Sequence, residues 1–295
     1  MLDYKLLEAL ATVIECGGFE RAGEVLGITQ SAVSQRIRTL EIRLGQPVLV
    51  RSPTPKATPV GQRLLNHVQQ VRLLEQDLAG ALPALTEPAT RLRIAVNADS
   101  LATWWAGALS RFCQEEGVLL DLVIEDQDIG LRRMREGDVA ACLCSSPQPV
   151  AGGRCIPLGV MTYLPLATPD YIRRYFPDGL TEKALRRAPA IVFGPNDQLQ
   201  HRFLGMCGYH GPFPHHLCPS SEGFVHLARA GMGYGMIPEL QARSELAEGS
   251  LVPITAGPYL EVPLYWHFWR HGGRVMERLT RALRDRCPLS PGSTQ

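Results

Sequence analysis

No stretch of the chain approaches the roughly 20 consecutive apolar residues needed to span a bilayer, which argues against a helical membrane protein. The opening residues, Met1-Leu2-Asp3-Tyr4-Lys5, carry no basic segment leading into an apolar one. No secretory signal is read there, and a cytoplasmic location is expected. Net charge is nearly absent, +1 over 295 residues, so the whole-chain balance points to no nucleic-acid partner. The eight cysteines are scattered without a framework and read as free thiols, with Cys142 and Cys144 as a buried pair on one strand face. No nucleophile elbow or general-base arrangement is present. Gly231-Met232-Gly233-Tyr234-Gly235 precedes a strand and does not link strand to helix, so it is no phosphate loop. Cys207, His210, His215, His216 and Cys218 are dense in zinc-ligand types, but their spacing fits no standard finger. Neither enzymatic activity nor any metal or other cofactor is expected.

Composition is that of an ordinary globular protein, 45% hydrophobic and 20% charged, and the length suits two domains. Charge is unevenly placed. Between Ile28 and Arg63 stand Arg36, Arg38, Arg43, Arg51, Lys56 and Arg63 against Glu41 alone, a local excess of +5. That is the pattern of an electrostatic DNA footprint, or alone of a solvated helix face. Helical periodicity decides between them. A first helix follows Asp3 and stops at Gly17-Gly18; a short second one runs from Phe19 to Leu26. The third, capped by Thr29, puts Val33, Ile37, Leu40 and Leu44 on one face and Ser31, Ser34, Gln35 and Arg38 on the other. Hydroxyls, an amide and a guanidinium are the groups that read base edges and hold phosphates in a major groove. The small residues Ala22, Gly23 and Ala32 permit a close helix crossing. Pro47 to Lys56 reads as a basic hairpin wing.

Thr58 and Pro59 start a long helix whose Leu64, Val68, Val71, Leu74, Leu78 and Leu82 recur every three or four residues. The stripe suits a partner helix, with packing on its own domain as the alternative. From Phe19 through Thr29-Gln30-Ser31-Ala32-Val33-Ser34, Leu40-Glu41, Leu44-Gly45, Arg51, Thr58-Pro59 and Gly61, the sequence resembles the N-terminal signature of LysR-type transcriptional regulators. The resemblance implies a winged helix-turn-helix over 1–58 and a linker/dimerisation helix over 59–86. Homodimers or tetramers on double-stranded promoter DNA are also implied. Base and backbone contacts are then expected from Thr29, Gln30, Ser31, Ser34, Gln35, Arg36, Arg38, Arg51 and Lys56. The family often has a second arginine three residues beyond the position of Arg51; Thr54 stands there instead, and Lys56 is the substitute.

After a polar, proline-containing joint, strands alternate with helices from Arg91 onward, the pattern of an α/β domain. A second lobe is expected to start near Tyr163 and the chain to return over Val262 to Phe268. The family resemblance implies a periplasmic-binding-protein-like effector domain over 91–295. Its first lobe takes 91–162 and 268–295, its second 163–267. Ligands sit beyond the carboxyl ends of strands in open sheets. Those positions hold Asn97-Ala98-Asp99-Ser100, Glu125-Asp126, Ser145-Ser146, Asn196-Asp197 and Ser220-Ser221-Glu222. The helix N-termini and the serines, Ser100, Ser145 and Ser221 with Thr103, can take a carboxylate. Asp99, Glu125, Asp126, Asp197 and Glu222 can take positive charge, although each acid taken singly reads as an ordinary cap or loop residue. Val96 to Trp104, Ser221 to Arg229 and Tyr265-Trp266-His267 resemble the arginine- and lysine-responsive subgroup of the family. That implies a regulator of amino-acid export or metabolism with lysine or arginine as effector. A regulator of another effector, a solute-binding protein and an enzyme are the competing readings.

Overall fold

The structure, a computed structural model, describes residues 2–50, 54–79, 91–125, 130–136, 138–270 and 272–291. Three helices come first: α1 (Tyr4–Cys16), α2 (Phe19–Leu26) and α3 (Gln30–Leu44). Asp3 and Thr29 cap α1 and α3, accepting from Lys5 N and Ala32 N. At Gly23 a β-carbon would lie 2.7 Å from the Ile28 carbonyl oxygen, so the tight α2–α3 turn requires glycine. Val33, Ile37 and Leu40 are buried against Leu6, Leu7, Leu10 and Val13. Each such side chain, removed from water, stabilises by about 1.5–3 kcal/mol. The wing is β1 (Leu49–Val50) paired with β2 (Lys56–Ala57). Glu41 Oε1 accepts from Val48 N at 3.0 Å, tying the wing back to α3. The long helix α4 (Pro59–Ala79) begins at Thr58, whose hydroxyl accepts from Gly61 N at 3.1 Å. A β-carbon on Gly61 would stand 2.0 Å from the Val48 carbonyl oxygen.

The remainder is mixed α/β, a periplasmic-binding-protein-like fold. Parallel strands β3 (Arg91–Val96), β4 (Leu119–Ile124) and β5 (Ala141–Cys144) alternate with helices. α5 (Ala98–Ser100) continues through a π turn at Leu101–Trp105 into α6 (Ala106–Glu116), and α7 (Gly130–Glu136) precedes β5. Two long antiparallel strands follow, β6 (Gly153–Ala167) and β11 (Leu260–Trp269). Between them in sequence lie α8 (Pro169–Tyr175), α9 (Glu182–Leu185), β7 (Ala190–Val192), α10 (Leu199–Met206), β8 (His215–Leu217), α11 (Ser221–Arg229), β9 (Gly235–Pro238), α12 (Arg243–Glu248) and β10 (Val252–Pro253). The chain returns through β11 to α13 (Gly273–Arg286). The large sheet runs β10-β6-β11-β5-β3-β4, with β9 also on β6. One hydrophobic core extends along it from Leu92 and Trp105 to Tyr171 and Phe203.

α12 starts only at Arg243, because Gln241 N and Ala242 N first close a turn onto the Pro238 carbonyl. The strand Gly153–Ala167 was not foreseen. Its Pro157, Gly159 and Pro165 argue against a strand interior, yet Leu158 forms a bulge opposite Leu264 and Tyr265. Gly159, at φ 135°, takes a backbone conformation reserved for glycine there.

Candidate DNA-binding surface and effector cleft

On α3 the apolar stripe turns inward and leaves the polar face outward. Thr29, Gln30, Ser31, Gln35 and Arg38 are exposed, while Ser34 and Arg36 are half-buried. Lys56 is exposed on β2; Arg51 lies outside the described residues. The arrangement is a rigid helix whose short polar groups stand free of the core beside a basic wing, as major-groove contact requires. The stripe on α4 divides. Val68 is 6% exposed and buried in the N-terminal core, with Leu64 packed against the same cluster, whereas Leu74 is 47% exposed. The Leu78 side chain, and Leu82 altogether, fall outside what the structure describes. Leu64 and Val68 therefore belong to their own domain, and Leu74 marks the part of the helix left open. α4 also meets α1, through Tyr4 Oη and His67 Nε2 at 3.0 Å, and an Arg72–Glu15 pair at 2.7 Å.

At the carboxyl end of β3, Asp99 sits deep within the protein yet keeps part of its surface accessible. Tyr163, on β6, donates to Asp99 Oδ2 at 2.6 Å; Ser221, first residue of α11, has its hydroxyl 2.7 Å from Asp99 Oδ1. Ser221 Oγ also lies 3.0 Å from Gln241 Oε1, and Gln241 Nε2 donates to the Ser221 carbonyl at 3.0 Å. Burial holds the Asp99 carboxyl above its ordinary range, the hydrogen bonds from Tyr163 and Ser221 oppose this, and the negative charge of Asp197 adds to it. Thr103 donates to the Asp99 carbonyl at 2.6 Å, one turn along the helix. Flanking Asp99, the Asn97 amide and the Ser100 hydroxyl are buried and find no partner among the described residues. A buried polar group without a partner costs about 1–3 kcal/mol, so such a cluster is suited to a polar ligand.

The five acids expected to share one cleft do not all meet. Asp99 and Asp197 feel one another. Asp197 also accepts from Phe193 N and Leu199 N, both at 2.9 Å, so much of its capacity holds a loop. Glu125 pairs with Arg133, which also donates to Asp138 at 2.6 Å. Glu222 is exposed in the first turn of α11, and Asp126 lies outside the described residues. Ser145 is half-buried just beyond β5. Sequence reasoning missed Tyr163 and Gln241. Tyr163 reaches Asp99 because β6 folds against α5, and Gln241 reaches Ser221 because the β9–α12 turn folds against α11, contacts that no local pattern encodes. Cys142 and Cys144 are free and buried on β5. Among the described residues, no group of three or more His, Cys, Asp or Glu is placed to hold a metal, and no helix is long and apolar enough to cross a membrane.

Residues 4–62 match the model of the bacterial regulatory helix-turn-helix protein, LysR family, and residues 86–288 match the LysR substrate binding domain. The HTH-type transcriptional regulator ArgP of Pseudomonas aeruginosa is 60% identical over 289 residues, covering 97% of this chain and 96% of that protein. The crystal structure of ArgP from Mycobacterium tuberculosis superposes with a TM-score of 0.86 at 40% identity, over 99% of this chain and 100% of that one. Full-length LysG from Corynebacterium glutamicum with bound effector Arg gives a TM-score of 0.76 at 34% identity, over 98% of this chain and 100% of that one.

Proposed function

The chain belongs to the LysR family of bacterial transcriptional regulators, and from that premise we propose that it binds promoter DNA through α3 and the wing and responds to a basic amino acid held at Asp99. The observation that carries the effector reading is the Asp99 carboxylate. It lies deep, hydrogen-bonded by Tyr163 and Ser221, with no ion pair to a basic side chain among the described residues. A deep carboxylate without a protein cation suits a ligand that brings one. LysG, which shares the fold over nearly its full length, binds Arg. The two segments 91–162 with 268–295 and 163–267 act in this reading as lobes hinged at β6 and β11, with Asp99 on one side and Ser221 on the other. The ligand carboxylate is assigned to Ser100 and Thr103 at the start of the helix.

Recognition of DNA falls to Gln30, Ser31 and Ser34 for base edges, and to Arg36, Arg38, Arg51 and Lys56 for phosphates. A homodimer, joined along α4 beyond Val68, presents two such helices to paired half-sites. The protein works as a cytoplasmic regulator, not an enzyme, and controls genes of amino-acid export or metabolism. Calorimetric titration of the full chain with L-arginine, L-lysine and L-leucine tests the effector. Binding of either basic amino acid but not leucine is expected; equal binding of leucine overturns the reading. A gel shift on promoter fragments, with and without the bound amino acid, tests the regulator.

A further inference from the structure

The hydrogen-bond geometry around Asp99 implies a count of protons. The Ser221 carbonyl can only accept, so Gln241 must turn its amide nitrogen toward it, as the 3.0 Å contact shows. That fixes Gln241 Oε1 as the atom facing Ser221 Oγ at 3.0 Å. Three oxygens then stand in a row, Gln241 Oε1, Ser221 Oγ and Asp99 Oδ1, with gaps of 3.0 and 2.7 Å. A hydroxyl carries one proton, and an amide oxygen carries none. One gap would face two acceptors across a vacant bond unless a further proton sits on Asp99. Tyr163 does not supply it, because its hydroxyl proton is used on Oδ2.

We propose that Asp99 carries a proton in the ligand-free cleft, donating it to Ser221, which donates in turn to Gln241, and that the cationic group of the effector takes the place of that proton. This rests on the effector reading above. In the exchange, the Asp99 O–H bond breaks and the proton leaves to solvent. The carboxylate so formed pairs with an ammonium or guanidinium that keeps its own protons; the Ser221 hydroxyl, its O–H bond intact, turns to donate to Asp99 Oδ1, and Gln241 Oε1 accepts instead from an N–H of the entering cation. Charge is conserved at the site: one cation in, one proton out. Tyr163 and Gln241 thereby become positioning residues that set which cation can enter, since a neutral ligand cannot ionise the acid.

The charged and titratable groups around Asp99 agree. From β6 comes only the phenol of Tyr163, and from α11 the neutral Ser221 beside an exposed Glu222. The turn after β9 brings neutral Gln241, with Glu239 exposed. The loop after β7 brings Asp197, a like charge that favours the protonated acid. Beyond β4, Glu125 is neutralised by Arg133.

The test is calorimetric titration of the full-length protein with L-arginine from pH 5 to pH 8, in buffers of differing ionisation enthalpy. The expected result is release of up to one proton per arginine, with affinity rising about tenfold per pH unit until Asp99 ionises in the free protein. Tyr163→Phe removes a donor to the carboxylate and should move that break to higher pH. Asp197→Asn removes a like charge and should move it lower; a merely structural role would move neither. Arginine binding with no proton release and flat affinity across the range overturns the exchange and leaves the effector reading standing. Absence of arginine binding at every pH overturns both. The wild-type measurement decides without any variant that must fold.

Discussion

The α3 surface and the Asp99 cleft are both polar, but they are built in opposite ways. On α3 the polar side chains stand outward from a finished apolar core, exposed at Gln30, Ser31, Gln35 and Arg38. In water such groups are solvated already, so their attraction for a phosphate is screened by salt and divided among many contacts. The cleft instead holds one carboxyl deep in the protein, bound to Tyr163 and Ser221. Its interaction with a cation is concentrated at one point and weakly screened, and an unmatched charge there is costly. A DNA-reading face can therefore lose one residue and keep much of its affinity. A cleft centred on one acid cannot.

The largest effect is expected where this contrast is sharpest. Asp99→Asn keeps the side-chain shape while removing the charge, and should weaken arginine binding by roughly 2–5 kcal/mol, as for one partner of a buried pair. Operator affinity without effector should stay within about twofold in a gel shift. The same variant should make the ligand-free protein more stable at neutral pH. Asp99 has its folded value raised, so the stabilisation linked to its proton is full below the ordinary carboxyl range and is lost as pH rises through the folded value. Denaturant melts of both proteins from pH 4 to pH 8 check this, and curves that keep a constant separation would refute it.

A second effect, of packing, should damage the DNA module alone. Gly61→Ala places a methyl where the Val48 carbonyl oxygen would stand 2.0 Å away, so α4 or the wing must shift. Overpacking of this kind typically costs about 1–3 kcal/mol. Lower thermal stability and weaker operator binding are expected, with arginine binding by calorimetry unchanged. If arginine binding falls equally, the two regions are coupled more tightly than their separate cores suggest.

Single contacts on α3 come next. Ser34→Ala should cost about 1–3 kcal/mol and relax sequence preference at one base pair. Arg38→Ala should weaken binding to all sequences alike and flatten the log–log salt dependence by about one unit. Operator titrations at several salt concentrations separate the two; if neither variant changes affinity or slope, α3 does not enter the groove.

How much of this was legible in the sequence follows from the range of the contacts involved. The N-terminal module is made of local signals. Thr29 caps, Gly23 turns, and Val33, Ile37 and Leu40 repeat at helical spacing, so that fold and its exposed face could be read within sixty residues. The cleft is long-range. Asp99 and Ser221 are 122 positions apart, Asp99 and Tyr163 64 apart. Strand-end logic could place Asp99 and Ser221 near one another, but it counted Glu125 as available, because the Arg133 partner that neutralises it lies on α7 and no strand end marks it. It also passed over Tyr163, hidden within a strand whose prolines and glycine argued against a strand at all. The α4 stripe shows the same limit: periodicity marked Leu64, Val68 and Leu74 alike, and only packing separates the buried Val68 from the open Leu74.

The smallest effect is expected at the seam between α1 and α4. Arg72 and Glu15 pair at 2.7 Å, but both side chains are substantially exposed, 39% and 55%. Exposed pairs gain little from each other in high dielectric, and they lose side-chain freedom to stay together; measured values fall at about 0–1 kcal/mol. Arg72→Ala should therefore shift a denaturant midpoint by no more than that, and less still in high salt. The neighbouring contact of Tyr4 Oη with His67 Nε2, at 3.0 Å, joins the same two helices and remains in the variant. Val68 beneath it stays buried, and burial of that kind outweighs one solvated ion pair. A loss above about 2 kcal/mol would show that the pair holds α4 in its working direction. The exposed polar surface of the DNA module would then share the concentrated character assigned here to the cleft.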